Sequence, residues 1–372
     1  MLKFDVLKSK NLARAGIIHT PHGDIHTPAF VGAATRATVK ALTMQEMRDL
    51  GSQAILANTY HLVLTPGPDL IEEAGGLAEF SSWHGPTFTD SGGFQIFSIP
   101  GVKISEEGAK FKSHINGDKL EMTPESSMRA QWKIGADVHM AFDHLAKSDN
   151  HADMREAMER THDWLTRCLK EHHSLSENAK RNNQNEQYLF AVVQGGKFND
   201  LRAKSARFSA AQNPDGFGIG GVFTADGMAE MLRTVNTILP ENKPRHLLGM
   251  GQEPIDLFVG VENGCDTFDC VGPTRMARNG SLYTLDGRIN IKNAKYKHDF
   301  SPLMEDCDCE LCQNYTKAYL HHLFRTDEIT AKVLASIHNE RFVVRTVDKI
   351  RESILNDTFE EYKKDFLGRY YK

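Results

Sequence analysis

Phe190-Ala191-Val192-Val193-Gln194 is an apolar run that ends at an amide. A strand with one wet face alternates apolar and polar residues, whereas an unbroken run suits a strand buried on both faces, as in a parallel sheet. The same signature recurs along the chain. Upstream stand Ala29-Phe30-Val31-Gly32, Ile55-Leu56-Ala57-Asn58, Thr87-Phe88-Thr89-Asp90 and His139-Met140-Ala141-Phe142-Asp143. Downstream stand Gly218-Ile219-Gly220-Gly221, His246-Leu247-Leu248-Gly249 and Thr267-Phe268-Asp269. Helical patterns separate most of these runs, and eight such units close a (β/α)8 TIM barrel. The carboxyl ends of its strands form the active-site face. Asp90, Asp143, Gln194 and Asp269 are therefore expected to converge on one pocket, which points to an enzyme.

With 372 residues the chain has room for one barrel with insertions and a large core. Its 40% hydrophobic and 25% charged content are those of a globular protein rather than a disordered one. No apolar stretch is long enough to cross a bilayer. The start, Met1-Leu2-Lys3-Phe4-Asp5, lacks the apolar block of a signal peptide, so a cytoplasmic location is the default. A net charge of −5 gives no global attraction to nucleic acid, although a local basic face would suffice for RNA.

Between Asp90 and Val138 the chain is too long for one crossover helix. The alternation around Lys110-Phe111-Lys112-Ser113-His114-Ile115 and the Asn116-Gly117 turn signal predict a β-hairpin insertion. Thr123-Pro124-Glu125 then reads as a helix start, with Thr as N-cap and Pro in the first turn. Residues 152–180 predict a crossover helix burying Met158, Thr161, Leu165, Cys168 and Leu169 on one face. After Gly280 the pattern changes, and the remainder is helical and charge-rich. Residues 1–289 are read as the catalytic barrel. Residues 290–372 are read as a metal-binding helical subdomain and C-terminal helices packed on it.

Three of the six cysteines, Cys307, Cys309 and Cys312, crowd one short loop. This is a poor disulfide framework and a good start for a metal site. One nitrogen would complete a tetrahedral zinc site: His338 is the best placed donor, with His321 and His322 as rivals. Four protein ligands leave no open position, so one such zinc per chain would be structural.

Asp90 begins Asp90-Ser91-Gly92-Gly93-Phe94-Gln95, whose glycines let backbone N–H groups approach a ligand. Two carboxylates on one pocket suit a nucleophile plus general acid/base acting at an acetal-like carbon. Gln194, Asp143 and the N–H groups of Gly220 and Gly221 suit recognition of a planar heterocycle.

These stretches, with Val193-Gln194-Gly195-Gly196, Phe268-Asp269-Cys270-Val271, Pro273-Thr274-Arg275, Arg278-Asn279-Gly280 and the Cys307/Cys309/Cys312/His338 set, resemble the tRNA-guanine transglycosylase (queuine tRNA-ribosyltransferase) family of the bacterial type. The resemblance runs from about Phe4 to the C-terminal helices. It implies exchange of guanine at the wobble position of tRNAs with GUN anticodons for a 7-deazaguanine base, and a homodimer. By that resemblance Asp269 is the nucleophile and Asp90 the general acid/base. Ser91, Gly92, Gly93, Phe94, Asp143, Gln194, Gly220 and Gly221 would form the base site. Gly249, Met250, Gly251, Gln252, Thr274, Arg275 and Arg278 would meet RNA. Lys292, Lys295, Lys297, Arg345, Lys349 and Arg351 could supply a phosphate-binding face.

Two stretches depart from the family pattern. Many bacterial members follow the aspartate at 143 with Glu-Cys, where this chain has His144-Leu145. After Gly220-Gly221 they carry a small Leu-Ala or Leu-Ser segment, where this chain has Val222-Phe223-Thr224-Ala225-Asp226. Both bear on the wall of the base pocket. The expectation is that queuine itself is accepted or preferred over 7-aminomethyl-7-deazaguanine. Rival readings fit less well. An archaeosine-type enzyme would carry further C-terminal RNA-binding domains, a non-catalytic partner subunit could lack the nucleophile, and a zinc hydrolase would place its ligands on strand ends.

Overall fold

In a computed structural model, which describes residues 1–220 and 225–372, the eight runs form eight parallel strands. These are β1 (Ala29–Ala33), β2 (Ala54–Ala57), β3 (Thr87–Thr89), β4 (Val138–Met140), β5 (Tyr188–Val193), β6 (Gly216–Ile219), β7 (Arg245–Leu247) and β8 (Thr267–Cys270). Each pairs in parallel with the next, and β8 closes on β1 with Asp269 opposite Val31. The (β/α)8 expectation holds strand for strand.

Strand alternation divides the apolar side chains between two cores. Val31, Leu56, Phe88, Val138, Met140, Phe190 and Val192 fill the barrel interior. Phe217, Ile219, Leu247 and Phe268 face outward into the helix layer. On β6 the inward positions are glycines. A Cβ at Gly216 would lie 2.5 Å from the Phe190 ring, and one at Gly218 would lie 3.1 Å from the Met140 sulfur. The absent side chains leave the volume that these two neighbours fill.

The amino end of the barrel is covered by an element without a distinct sequence signature. Strands Lys3–Lys10, Ala13–Thr20 and Gly23–Thr27 form an antiparallel sheet whose Leu2, Phe4, Ile18 and Ile25 join the barrel interior. Residues just before three barrel strands hold it in place. Asp266 forms a doubly hydrogen-bonded, buried ion pair with Arg14 at 2.6 and 2.8 Å. Asp137 takes His22 Nδ1 at 2.7 Å, and Asp215 accepts the Leu2 N–H at 3.0 Å.

The predicted insertion is present as the hairpin Ala109–Lys112 and Lys119–Met122, extended by a short third strand, Lys103–Ile104. Its connection, residues 113–118, is wider than a two-residue turn, with Gly117 at φ +79°. Thr123 caps the helix Pro124–Ile134 as expected. The long helix His151–Arg181 buries Met158, Thr161, Leu165, Cys168 and Leu169. After Gly280 comes a hairpin the sequence did not announce, Ser281–Thr284 with Gly287–Asn290. The helix Ile329–Leu355 beyond it packs on the barrel: Asn339 Nδ2 donates to the carbonyls of Pro273 and Ser281 at 3.0 and 3.1 Å. Among the described residues, no helix is long and apolar enough to cross a membrane.

Candidate active site

Asp90 follows β3 directly, on the carboxyl end of the barrel. Its Oδ1 accepts the N–H groups of Thr59 and Gly92, each at 3.0 Å, and its Oδ2 accepts from Asn58 Nδ2. Asn58 and Thr59 sit where β2 passes into the helix Thr59–Leu64, so the amide of Thr59 points at the neighbouring strand end. Among the described residues no cation pairs with Asp90. Burial pushes the Asp90 carboxyl up to about 7, with a further push from Asp269 that the donor N–H groups only partly oppose.

Asp143 lies in the loop after β4. It accepts from Ser91 Oγ at 2.9 Å and from Gln194 Nε2 at 2.7 Å, so three strand ends meet in one hydrogen-bonded set. Burial raises its pKa while Gln194 and Ser91 lower it. Glycine makes this approach possible. Gly92 has φ +80°, and a Cβ on Gly93 would lie 2.9 Å from the Asp143 carbonyl oxygen. Ser127 Oγ on the following helix donates to the Ser91 carbonyl at 3.0 Å and fixes the loop. Gly220 is buried, with its Cβ direction 3.4 Å from Gln194 Nε2. Phe94 stands 61% exposed. Gly221, Val222 and Phe223 lie outside the described residues.

Asp269 lies within β8. Its Oδ1 receives the Gly249 N–H at 2.9 Å and His246 Nε2 at 3.0 Å. His246, Asn58 and Thr59 join the site without a signal in the sequence that marks them. His246 occupies a strand position like any core residue, and only strand pairing shows that it meets Asp269. The Gly249–Gln252 turn borders this carboxylate: Gly249 and Gly251 have φ +71° and +117°, Met250 is half-buried, and Gln252 is exposed. Thr274 is buried, with Oγ1 3.5 Å from the Val271 carbonyl. Arg275 is exposed without a side-chain partner among the described residues. Arg278 is half-buried with Nη1 unbonded. Arg345 and Arg351 differ, because both commit donors internally, to Asp306 and to the carbonyls of His26 and Pro28.

Cys307, Cys309, Cys312 and His338 converge, all buried, with ligand atoms within 4.8 Å of one another. The thiol sulfurs lie 3.8, 3.5 and 3.4 Å from His338 Nδ1. A tetrahedral ion with metal–sulfur bonds of about 2.3 Å and a metal–nitrogen bond of about 2.0–2.1 Å sets sulfur and nitrogen roughly 3.6 Å apart. The group can therefore hold a metal ion. His338 Nε2 contacts the Tyr283 carbonyl at 2.8 Å, which orients the ring with Nδ1 toward the sulfurs. His321 instead turns to the Ile291 carbonyl. The cluster lies outside the barrel, and none of its four residues stands on a barrel strand.

Comparison with known proteins agrees with this arrangement. The sequence profile of the family described as queuine tRNA-ribosyltransferase matches residues 8–372. A queuine tRNA-ribosyltransferase of Herpetosiphon aurantiacus is 48% identical over 96% of this chain and 90% of its own length. Those of Desulforamulus reducens and Bacillus subtilis are each 43% identical, over 98% and 96% of this chain and 97% and 93% of theirs. A carboxylate-lined barrel mouth, a Cys3His cluster and near-full-length identity thus lead to one assignment: the chain belongs to the queuine tRNA-ribosyltransferase family.

Proposed function

We propose that this protein exchanges guanine in tRNA for a 7-deazaguanine base, at the wobble position of GUN anticodons, through a covalent Asp269–ribose ester. The observation that carries the reading is a pair of carboxylates at the carboxyl end of the barrel, Asp90 and Asp269, without a Lys or Arg partner among the described residues, with Asp269 near enough to push the Asp90 pKa up, beside the Ser91–Asp143–Gln194 set. Asp269 attacks the anomeric carbon as the bond to guanine breaks, and its charge stabilises the oxocarbenium-like transition state. Asp90, with a pKa near working pH, protonates the departing base. The incoming base then displaces Asp269 and returns a proton to Asp90. The RNA backbone stays intact because the glycosidic bond is broken and remade.

The acceptor oxygens of Asp143 suit the N–H donors on the edge of a guanine-like base, while Gln194 and Gly220 line its other side. Arg275 and Arg278 suit the phosphates flanking the extruded nucleotide. The Cys3His group is assigned one structural zinc ion, which would tie residues 307–312 to the helix Ile329–Leu355. That helix in turn holds the Pro273 loop through Asn339. The stacked pair Tyr315 and Tyr319, with Phe300 exposed nearby, suits the face of a homodimer. The reaction is placed in the cytoplasm.

The test is release of labelled guanine from the wobble position of tRNA on adding queuine or the aminomethyl base. Release that is lost in Asp269→Asn supports the reading; no release from folded, metal-loaded protein defeats it. Queuine preference rests on the departures from the family pattern at His144-Leu145 and Val222-Phe223. Exclusive use of the aminomethyl base would overturn that preference alone.

A further inference from the structure

We infer that His246 is a positioning residue for Asp269, holding one carboxylate oxygen and leaving the other to react; the inference rests on the nucleophilic role proposed above. Both hydrogen bonds to Asp269, from Gly249 N–H and from His246 Nε2, end on Oδ1. Oδ2 has no partner among the described residues, and the side chain keeps 13% exposure to the pocket. The carboxylate is thus fixed in rotation, with its free oxygen available for bond formation.

The ring itself is over-determined. His246 pairs with Thr267 across β7 and β8, and Thr267 and Asp269, two residues apart, share one face of β8. The imidazole spans both, with Nδ1 2.8 Å from Thr267 Oγ1 and Nε2 3.0 Å from Asp269 Oδ1. It is fully buried and stacks on Phe88 at 5.5 Å and 29°. A carboxylate oxygen accepts and cannot donate, so Nε2 carries the hydrogen. Nδ1 faces the Thr267 hydroxyl, which holds the ring from its other side.

This arrangement serves both halves of the exchange. When Oδ2 bonds to the anomeric carbon and guanine leaves, Oδ1 becomes the ester carbonyl and keeps both donors. When the incoming base breaks the Oδ2–carbon bond, the electron pair returns to the carboxylate and the same donors stabilise it. No proton passes through His246.

His246→Phe keeps the stacking and removes the donor, whereas His246→Gln keeps a donor. The expected result is a kcat for guanine exchange lowered on the order of 10- to 100-fold in His246→Phe, the weight of a hydrogen bond to a charged group. KM for RNA and for base stays unchanged, covalent RNA–protein adduct forms more slowly in a single turnover, and His246→Gln recovers most of the rate. A wild-type kcat in His246→Phe, a defect confined to KM, or equal loss in both variants would overturn the inference. Wild-type protein that exchanges no guanine defeats the functional reading instead. Proton-coupled nitrogen spectra of the imidazoles then decide the inference without activity. A protonated Nε2 that shifts in Asp269→Asn supports it, and an unprotonated Nε2 overturns it.

Discussion

The two ends of the barrel carry the same residue type at comparable strand positions and use it in opposite ways. At the amino end, Asp137, Asp215 and Asp266 face His22, the Leu2 N–H and Arg14, all from the sheet that closes the barrel. At the carboxyl end, among the described residues, Asp90, Asp143 and Asp269 face amides, hydroxyls and the His246 ring. Asp266, paired to the Arg14 cation, and Asp137, paired to His22, work as clamps, while Asp215 clamps through backbone N–H groups alone. A carboxylate held by neutral donors and partly buried keeps its charge poorly compensated, which suits proton transfer and nucleophilic attack where the site is open to a ligand. Composition cannot distinguish the two sets; partner and place in the barrel do.

The comparison is broken most severely at Asp269. Asp269→Asn keeps the shape and both contacts to Oδ1 but removes the nucleophile. Guanine release should fall by at least about a thousandfold, with no covalent RNA adduct on denaturing gels and unchanged thermal unfolding. Asp266→Ala should do the reverse. It leaves Arg14, 4% exposed, without its carboxylate, a loss of about 3–5 kcal/mol for a broken buried pair. Urea unfolding should show that loss while exchange per folded molecule is retained. An Asp266→Ala protein that is stable but inactive would defeat the division between the two ends.

How much of this the sequence reveals follows from the same contrast. Parallel strands buried on both faces leave unbroken apolar runs, so all eight were legible, and the polar residues ending them marked Asp90, Asp143, Gln194 and Asp269. The Cys3His set was legible because thiol spacing is local and the sulfur chemistry is specific. The closing sheet was not, because its inward residues (Leu2, Phe4, Ile18, Ile25) are scattered among polar ones and signal nothing until the barrel mouth is present. His246 was illegible for a related reason. A histidine inside a strand reads as core, and its role depends on which strand pairs beside it. Thr59 acts through its backbone N–H, which side-chain chemistry does not advertise, and Asn58 acts through a side-chain amide that reads equally as a helix cap. Thr274, expected to meet RNA, is buried.

Asp90 sharpens the comparison through pH. Its folded pKa of about 7 lies above the ordinary 3.8. Between those values the unfolded chain has released the proton that the folded protein still holds. The unfolded state then binds fewer protons, and the folded state loses stability as pH rises through that window. Asp90→Asn removes the titration. Its stability relative to wild type should therefore climb by about 2–4 kcal/mol from about pH 4 to about pH 8, then level off. Urea unfolding of both proteins across that range measures the difference. A flat difference would mean that Asp90 is not held above the usual carboxylate range.

The smallest effect is expected at the hydroxyls beside the two sets. Ser91 Oγ donates to Asp143 at 2.9 Å and receives the Gly93 N–H at 3.2 Å; Thr87 Oγ1 donates to Asp137 at 3.2 Å. Each is one neutral hydrogen bond to a carboxylate, so Ser91→Ala and Thr87→Val remove similar chemistry from opposite ends of the barrel. In Ser91→Ala the Asp143 carboxylate keeps Gln194 as its one side-chain donor among the described residues, its charge is held less well, and it accepts less strongly from a base. KM for the incoming base should rise by the equivalent of about 1–2 kcal/mol, with kcat and KM for RNA nearly unchanged. Thr87→Val should leave every kinetic constant alone and lower stability by a similar amount. A Thr87→Val protein with weakened base binding would mean that the two ends are coupled through β3, with Phe88 between its two threonines as the connecting side chain.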